Sequence, residues 1–155
     1  MFTNILVALD GSQLAEKALP VVRNLANSSG GTIHLIQAVS RQPELEAARG
    51  GEASLQLAEL SQDLARQLIE TRLAGGQKYL EQVAVELTSA GLQVETAILE
   101  GAADEQILSY SREHGVDLIV ISTHGYGGVK RFLLGSITDR VIRSCEVAVL
   151  VVPCS

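Results

Sequence analysis

Two patterns of hydrophobic and polar positions alternate along the chain. The segments 5–9, 33–39, 92–99, 116–122 and 147–152 read as strands, and the first is an apolar run with no helical face. The first, ILVAL, lacks polar alternation, which predicts burial on both faces of a sheet. Between the runs, apolar residues recur at helical spacing. Leu14, Ala18, Val22, Leu25 and Ala26 follow Ser12, a good N-cap, and stop before Ser28-Ser29-Gly30-Gly31. Pro20 lies about two turns into that pattern, so a bend is expected at a cost of roughly 3 kcal/mol if nothing compensates. Residues 41–52 carry mixed charge, Pro43 and Gly50-Gly51 with no period; they read as a surface loop able to cover a ligand. From Ala53 a stripe of Leu57, Leu60, Leu64 and Leu68 gives way at Gly75-Gly76 to a second stripe of Leu80, Val83 and Leu87, predicting two helical pieces with a break between them. Gly91 fits the residue after a helix end. A short helix over 104–114 has the acidic start that suits a helix dipole, and a last helix covers 137–143.

Strands alternating with helices predict an α/β fold with a doubly wound, five-stranded parallel sheet. Such sheets bind ligands at the carboxyl ends of strands where the winding reverses. Asp10 ends the first strand, and Thr123-His124-Gly125 follow the fourth. If those strands are neighbours, both polar clusters face one crevice. The stretch 117–143 runs from a buried strand through Gly125, Gly127 and Gly128 into a helix opening at Gly135-Ser136, an arrangement that gathers backbone N–H groups for an anion, phosphate above all. A plainer reading stands beside it, in which the glycines turn the chain and Ser136-Ile137-Thr138-Asp139 caps the helix. Asp10-Gly11-Ser12 has the same double reading, as a ligand contact or as an Asx turn.

With 155 residues and 46% hydrophobic content the chain is expected to be one domain over 1–155. Twelve Lys and Arg against 18 Asp and Glu give a net charge of -6, which opposes nucleic acid and anionic membranes as partners. Lys130-Arg131, the one adjacent basic pair, either approaches phosphate or is solvated. No apolar run nears 18 residues and no signal peptide is evident, so a reducing cytoplasm is expected; Cys145 and Cys154 have no metal-site context. Walker A, dinucleotide-fingerprint, GxSxG and HExxH patterns are all missing. His124 suits a bond to a main-chain carbonyl or phosphate oxygen better than general base work, and His34 and His114 read as structural or solvent-facing.

Ser122-Thr123-His124-Gly125, nine residues, then Gly135-Ser136 resembles the ATP-binding signature of the universal stress protein family, Gly-x-x-Gly-x9-Gly-Ser/Thr. The opening NILVALDGS at 4–12, Leu99-Glu100-Gly101 and Val149-Leu150-Val151-Val152 extend the likeness over nearly the whole chain. Ser122 stands where the family has its first glycine, and Ala103 and Ala148 replace common prolines. The resemblance implies a Rossmann-like, adenine nucleotide alpha hydrolase-like fold with strand order 3-2-1-4-5, binding ATP or AMP, with Mg2+ held through the phosphates. It implies that the backbone at Ala8 and Leu9 meets the adenosine part, that Asp10 bonds ribose hydroxyls, and that Ala38 offers main-chain groups to adenine. Ser122, Gly125, Gly135, Ser136 and Ile137 would surround the phosphates. The function implied is a cytoplasmic, nucleotide-dependent regulator of stress responses; a slow metal-dependent ATP hydrolase and a nucleotide-free interaction module are the alternatives. A homodimer is expected through 147–152, a chargeless run at the sheet edge.

Overall fold

The computed structural model describes residues 1–40, 55–123 and 134–153. Among them β1 (Asn4–Ala8), β2 (Thr32–Val39), β3 (Gln93–Glu100), β4 (Leu118–Ser122) and β5 (Ala148–Val152) form one parallel sheet in the order β3-β2-β1-β4-β5. The helices are α1 (Gln13–Glu16), α2 (Leu19–Ser29), α3 (Leu55–Ser89), α4 (Ala103–Glu113) and α5 (Ser136–Ser144). The alternation of side chains along a strand divides the core in two. Ile5 and Val7 of β1, with Ile33 and Leu35 of β2, face Val22 and Ala26 of α2 and Leu80 of α3. Leu6 and Ile36 face the other way, onto Ile107 and Tyr110 of α4 and Val141 of α5. An apolar run without polar alternation is what burial against helices on both sides demands.

The crossing from β2 through β1 to β4 is the reversal of winding, so β1 and β4 frame the crevice. Their first residues are latched by Asp117, whose carboxylate accepts from the Thr3 N–H at 2.8 Å, the Thr3 hydroxyl at 2.9 Å and the Asn4 N–H at 3.1 Å. Partial burial pushes that carboxyl up, but these hydrogen bonds outweigh it and hold Asp117 below the usual carboxylate range.

Two sequence expectations are corrected. Pro20 does not bend one helix; the helix ends at Glu16 and a new one starts at Leu19, placing the proline in its first turn, where a missing N–H costs nothing. Gly75-Gly76 does not break α3, which is continuous through both. Gly76 serves close approach instead of flexibility. A Cβ at Gly76 would sit 2.6 Å from Ile98 Cδ1 and 3.1 Å from Gln37 Oε1, whereas one at Gly75 would meet nothing within 4 Å. Gly75→Ala is therefore expected to raise stability by up to about 1 kcal/mol, through helix propensity alone. Gly76→Val should lower it by about 1–3 kcal/mol through overpacking against the sheet; urea midpoints moving in the same direction for both would contradict this account. The predicted loop 41–52 and the Ala53 helix start lie outside the described residues.

Other boundaries shift by one or two residues. β4 begins at Leu118 instead of 116, and the last helix is capped by Gly135 with Ser136 as its first residue, so the Ser136 capping pattern does not form.

Candidate functional site

At the carboxyl ends of β1, β2 and β4 the sheet opens into a cavity of about 230 Å³. That lies just under the roughly 300–1,000 Å³ usual for small-molecule pockets. Ala8, Leu9 and Asp10 enter it from β1, Ala38 from β2, Ser122 from β4, and Gly135, Ser136 and Ile137 from the start of α5. Eight of the positions singled out in the sequence thus meet around one space; His124 and Gly125 lie outside the described residues. Sequence reasoning missed Ile36, Ala103, Ile107, Ile121 and Thr138, which also line it. Periodicity held part of the signal. Ile36 shares a strand face with Ala38, and Ile107 stands one turn beyond Ala103 on α4.

The polar groups are arranged by local turns. Gly11, at φ 82°, makes the tight turn that brings Ser12 back over Asp10. Asp10 Oδ1 accepts from the Ser12 N–H at 2.8 Å and from the Ser12 hydroxyl, while Ser12 Oγ accepts from the Ala15 N–H at 3.2 Å to cap α1. The Asx turn and the cavity position are therefore both real, and the first fixes the second. Leu9 is held by its N–H on the Ile36 carbonyl at 2.9 Å, which keeps the β1 exit beside β2. Behind this turn the Tyr79 hydroxyl donates to Glu16 at 2.9 Å, tying α1 to α3; burial pushes the Tyr79 hydroxyl pKa up, so it stays protonated.

Two helix N-termini reach the cavity. The first turn of α4 carries Asp104 and Glu105, which answer its dipole internally. In α5, Asp139 is paired with Arg143 at 2.9 Å, and the first helical bond is the Asp139 N–H to the Gly135 carbonyl. The amides of Ser136, Ile137 and Thr138 precede that ladder, so α5 presents N–H groups to an anion. Arg140 reaches Asp104 at 3.5 Å and joins the two helices.

Chemically the site offers apolar walls for a flat ring at Ile36, Ile107 and Ile121, a carboxylate for hydroxyl donors at Asp10, and helix amides for a negative group. Among the described residues no group of three or more His, Cys, Asp or Glu could hold a metal, and no helix is long and apolar enough to cross a membrane. The sequence pattern of the universal stress protein family matches residues 1–153. The chain belongs to that family. It is 29% identical over 152 residues to the universal stress protein YxiE of Bacillus subtilis, covering 98% of this chain and 99% of that one. The solved structure of MJ0577, a universal stress protein of Methanocaldococcus jannaschii, is 28% identical with a TM-score of 0.75 and covers 99% of this chain and 96% of that one. A family member from Arabidopsis thaliana, solved with AMP bound, has a TM-score of 0.63 over 97% of this chain and 91% of that one; at 15% identity it bears on the fold.

Proposed function

We propose that this universal stress protein binds ATP or AMP in the cavity between β1 and β4 and acts in the cytoplasm as a nucleotide-dependent regulatory module of the stress response. The observation that carries the proposal is the convergence of Asp10, the apolar ends of β2 and β4, and the α5 amides on one space. Adenine fits the apolar walls, with main-chain groups at Ala38 within its reach; ribose hydroxyls fit Asp10; phosphates fit Ser122, Gly135, Ser136 and Ile137, joined by His124 and Gly125. Ser122 replaces the signature glycine yet is buried at 3% exposure and lines the cavity, so a small hydroxyl there adds a donor beside the phosphates. Mg2+ would be held by the phosphates rather than by a protein cage. The Arabidopsis relative with AMP supports the choice of ligand class.

Chromatography of a denatured extract of the purified protein tests this reading. Adenine nucleotide at near one per chain is expected; protein that carries none, and takes none up from millimolar ATP, would overturn it. Turnover is expected far below the typical enzyme range of about 1–10³ s⁻¹, because the described lining contains one carboxylate, Asp10, and the turn already engages it. Phosphate release at several per second with Mg2+ would instead make the chain an ATP hydrolase.

The assembly proposed is a two-fold homodimer of the single domain through β5. That strand pairs only with β4 among the described residues, and none of its five apolar residues is fully buried.

A further inference from the structure

Directly beneath the cavity floor, on the same face of the sheet, lies a cluster of polar rings. His34 stands two residues before Ile36 on β2, with 4% of its surface exposed. Its Nδ1 lies 3.2 Å from the Tyr110 hydroxyl of α4 and 3.4 Å from Glu95 Oε2 of β3. The His114 ring stacks on Tyr110 at 3.7 Å and lies 6.0 Å from the His34 ring, while its Nδ1 sits 3.1 Å from the Tyr110 carbonyl. From β1 the register neighbour of His34 is Leu6, fully buried and apolar. Glu95, Tyr110 and His114 are thus the titratable groups that face His34 from the elements packed on it.

Nδ1 faces both a hydroxyl that can donate or accept and a carboxylate that only accepts. Nε2 is buried without a hydrogen-bond partner among the described residues. An imidazolium carries hydrogen on both nitrogens, so it would place a charged N–H at Nε2 where no acceptor stands, which costs more than the unmet polar atom of the neutral ring. Glu95 would favour that charge, but its side chain is 60% exposed and solvent screens it. Burial wins, and the His34 pKa lies below its ordinary value. Stabilising the imidazolium requires water at Nε2, which a shift of α4 off β2 would admit.

The same two elements wall the cavity. α4 brings Ile107 to it one turn before Tyr110, and β2 brings Ile36. We infer that the His34–Tyr110 contact is a proton-controlled clasp for the cavity: with His34 neutral, α4 lies closed on β2 and the apolar wall is complete, and with His34 protonated, the wall opens and nucleotide is released. The inference rests on the nucleotide reading of the cavity. Coupling is reciprocal, so bound nucleotide also lowers the proton affinity of His34.

Calorimetric titration of ATP at pH 7.5 and 5.5, on wild type and His34→Gln, tests the clasp. One coupled proton limits the change to tenfold per pH unit, so wild-type affinity should fall about three- to tenfold more than that of the variant. Titration of the ATP phosphate is common to both proteins and cancels in that ratio. Should the variant fold poorly, NMR titration of the His34 ring in wild-type protein, free and saturated with ATP, reads the same coupling from the other side: a lower midpoint with ATP is expected. Affinities falling in parallel, or an unmoved midpoint, would overturn the clasp while leaving the cavity reading intact. No binding at either pH would overturn the cavity reading and the clasp with it.

Discussion

Asp10→Ala is expected to weaken ATP binding about ten- to a hundredfold, the loss that follows from removing charge-assisted bonds worth about 1.5–3 kcal/mol. Asp10 is the carboxylate among the residues that line the cavity, and the Gly11 turn holds it there. Its Oδ1 also accepts from the Ser12 N–H, so alanine removes a turn bond as well. Asp10→Asn separates the two effects. An amide oxygen keeps the turn acceptor but removes the charge that strengthens bonds to ribose hydroxyls. The asparagine variant should therefore keep the parent's thermal midpoint and still lose affinity. If Asp10→Ala binds ATP as tightly as the parent in calorimetry, the ribose assignment is wrong.

The parallel sheet and the crevice were legible because their signals are local and redundant. ILVAL at 5–9 stops at Asp-Gly-Ser, and the chain must turn there whatever it packs against. Gly75-Gly76 misled for a physical reason. Glycine marks both flexible breaks and close approaches, and only the position of Ile98 and Gln37 across the helix shows which applies. Pro20 misled similarly: the sequence shows a proline within a helical pattern, but not that the chain restarts its helix at Leu19. The cavity's greasy lining at Ile36, Ile107 and Ile121 was hidden among core residues of the same type, since ligand wall and hydrophobic core read alike in one dimension. His34 reads in sequence as structural or solvent-facing, and only its burial against Tyr110, 76 residues away, decides for the structural reading.

Val149→Pro is expected to convert a dimer into a monomer. The Val152 carbonyl accepts from the Thr123 N–H on the β4 side. In a strand the pointing direction alternates, so the amides of Val149 and Val151 face away from β4, toward the open edge. Proline at 149 removes one of those outward donors and leaves the pairing to β4 in place. The edge has none of the charges or bulges that ordinarily discourage pairing, and antiparallel contact about a two-fold axis closes the assembly after two copies. Light scattering should give twice the chain mass for the parent and once for the variant. A parent that stays monomeric at tens of micromolar would sink the edge proposal, and a variant that remains dimeric would place the interface elsewhere.

The most direct test of nucleotide binding at this cavity is ATP titration of ¹⁵N-labelled protein followed by amide NMR. The account predicts saturable shifts concentrated at Ala8, Leu9, Asp10, Ala38, Ser122 and the first turn of α5. An unchanged spectrum, or shifts centred on the groove between α2 and α3 at Arg23, Asn27 and Glu86, would contradict it.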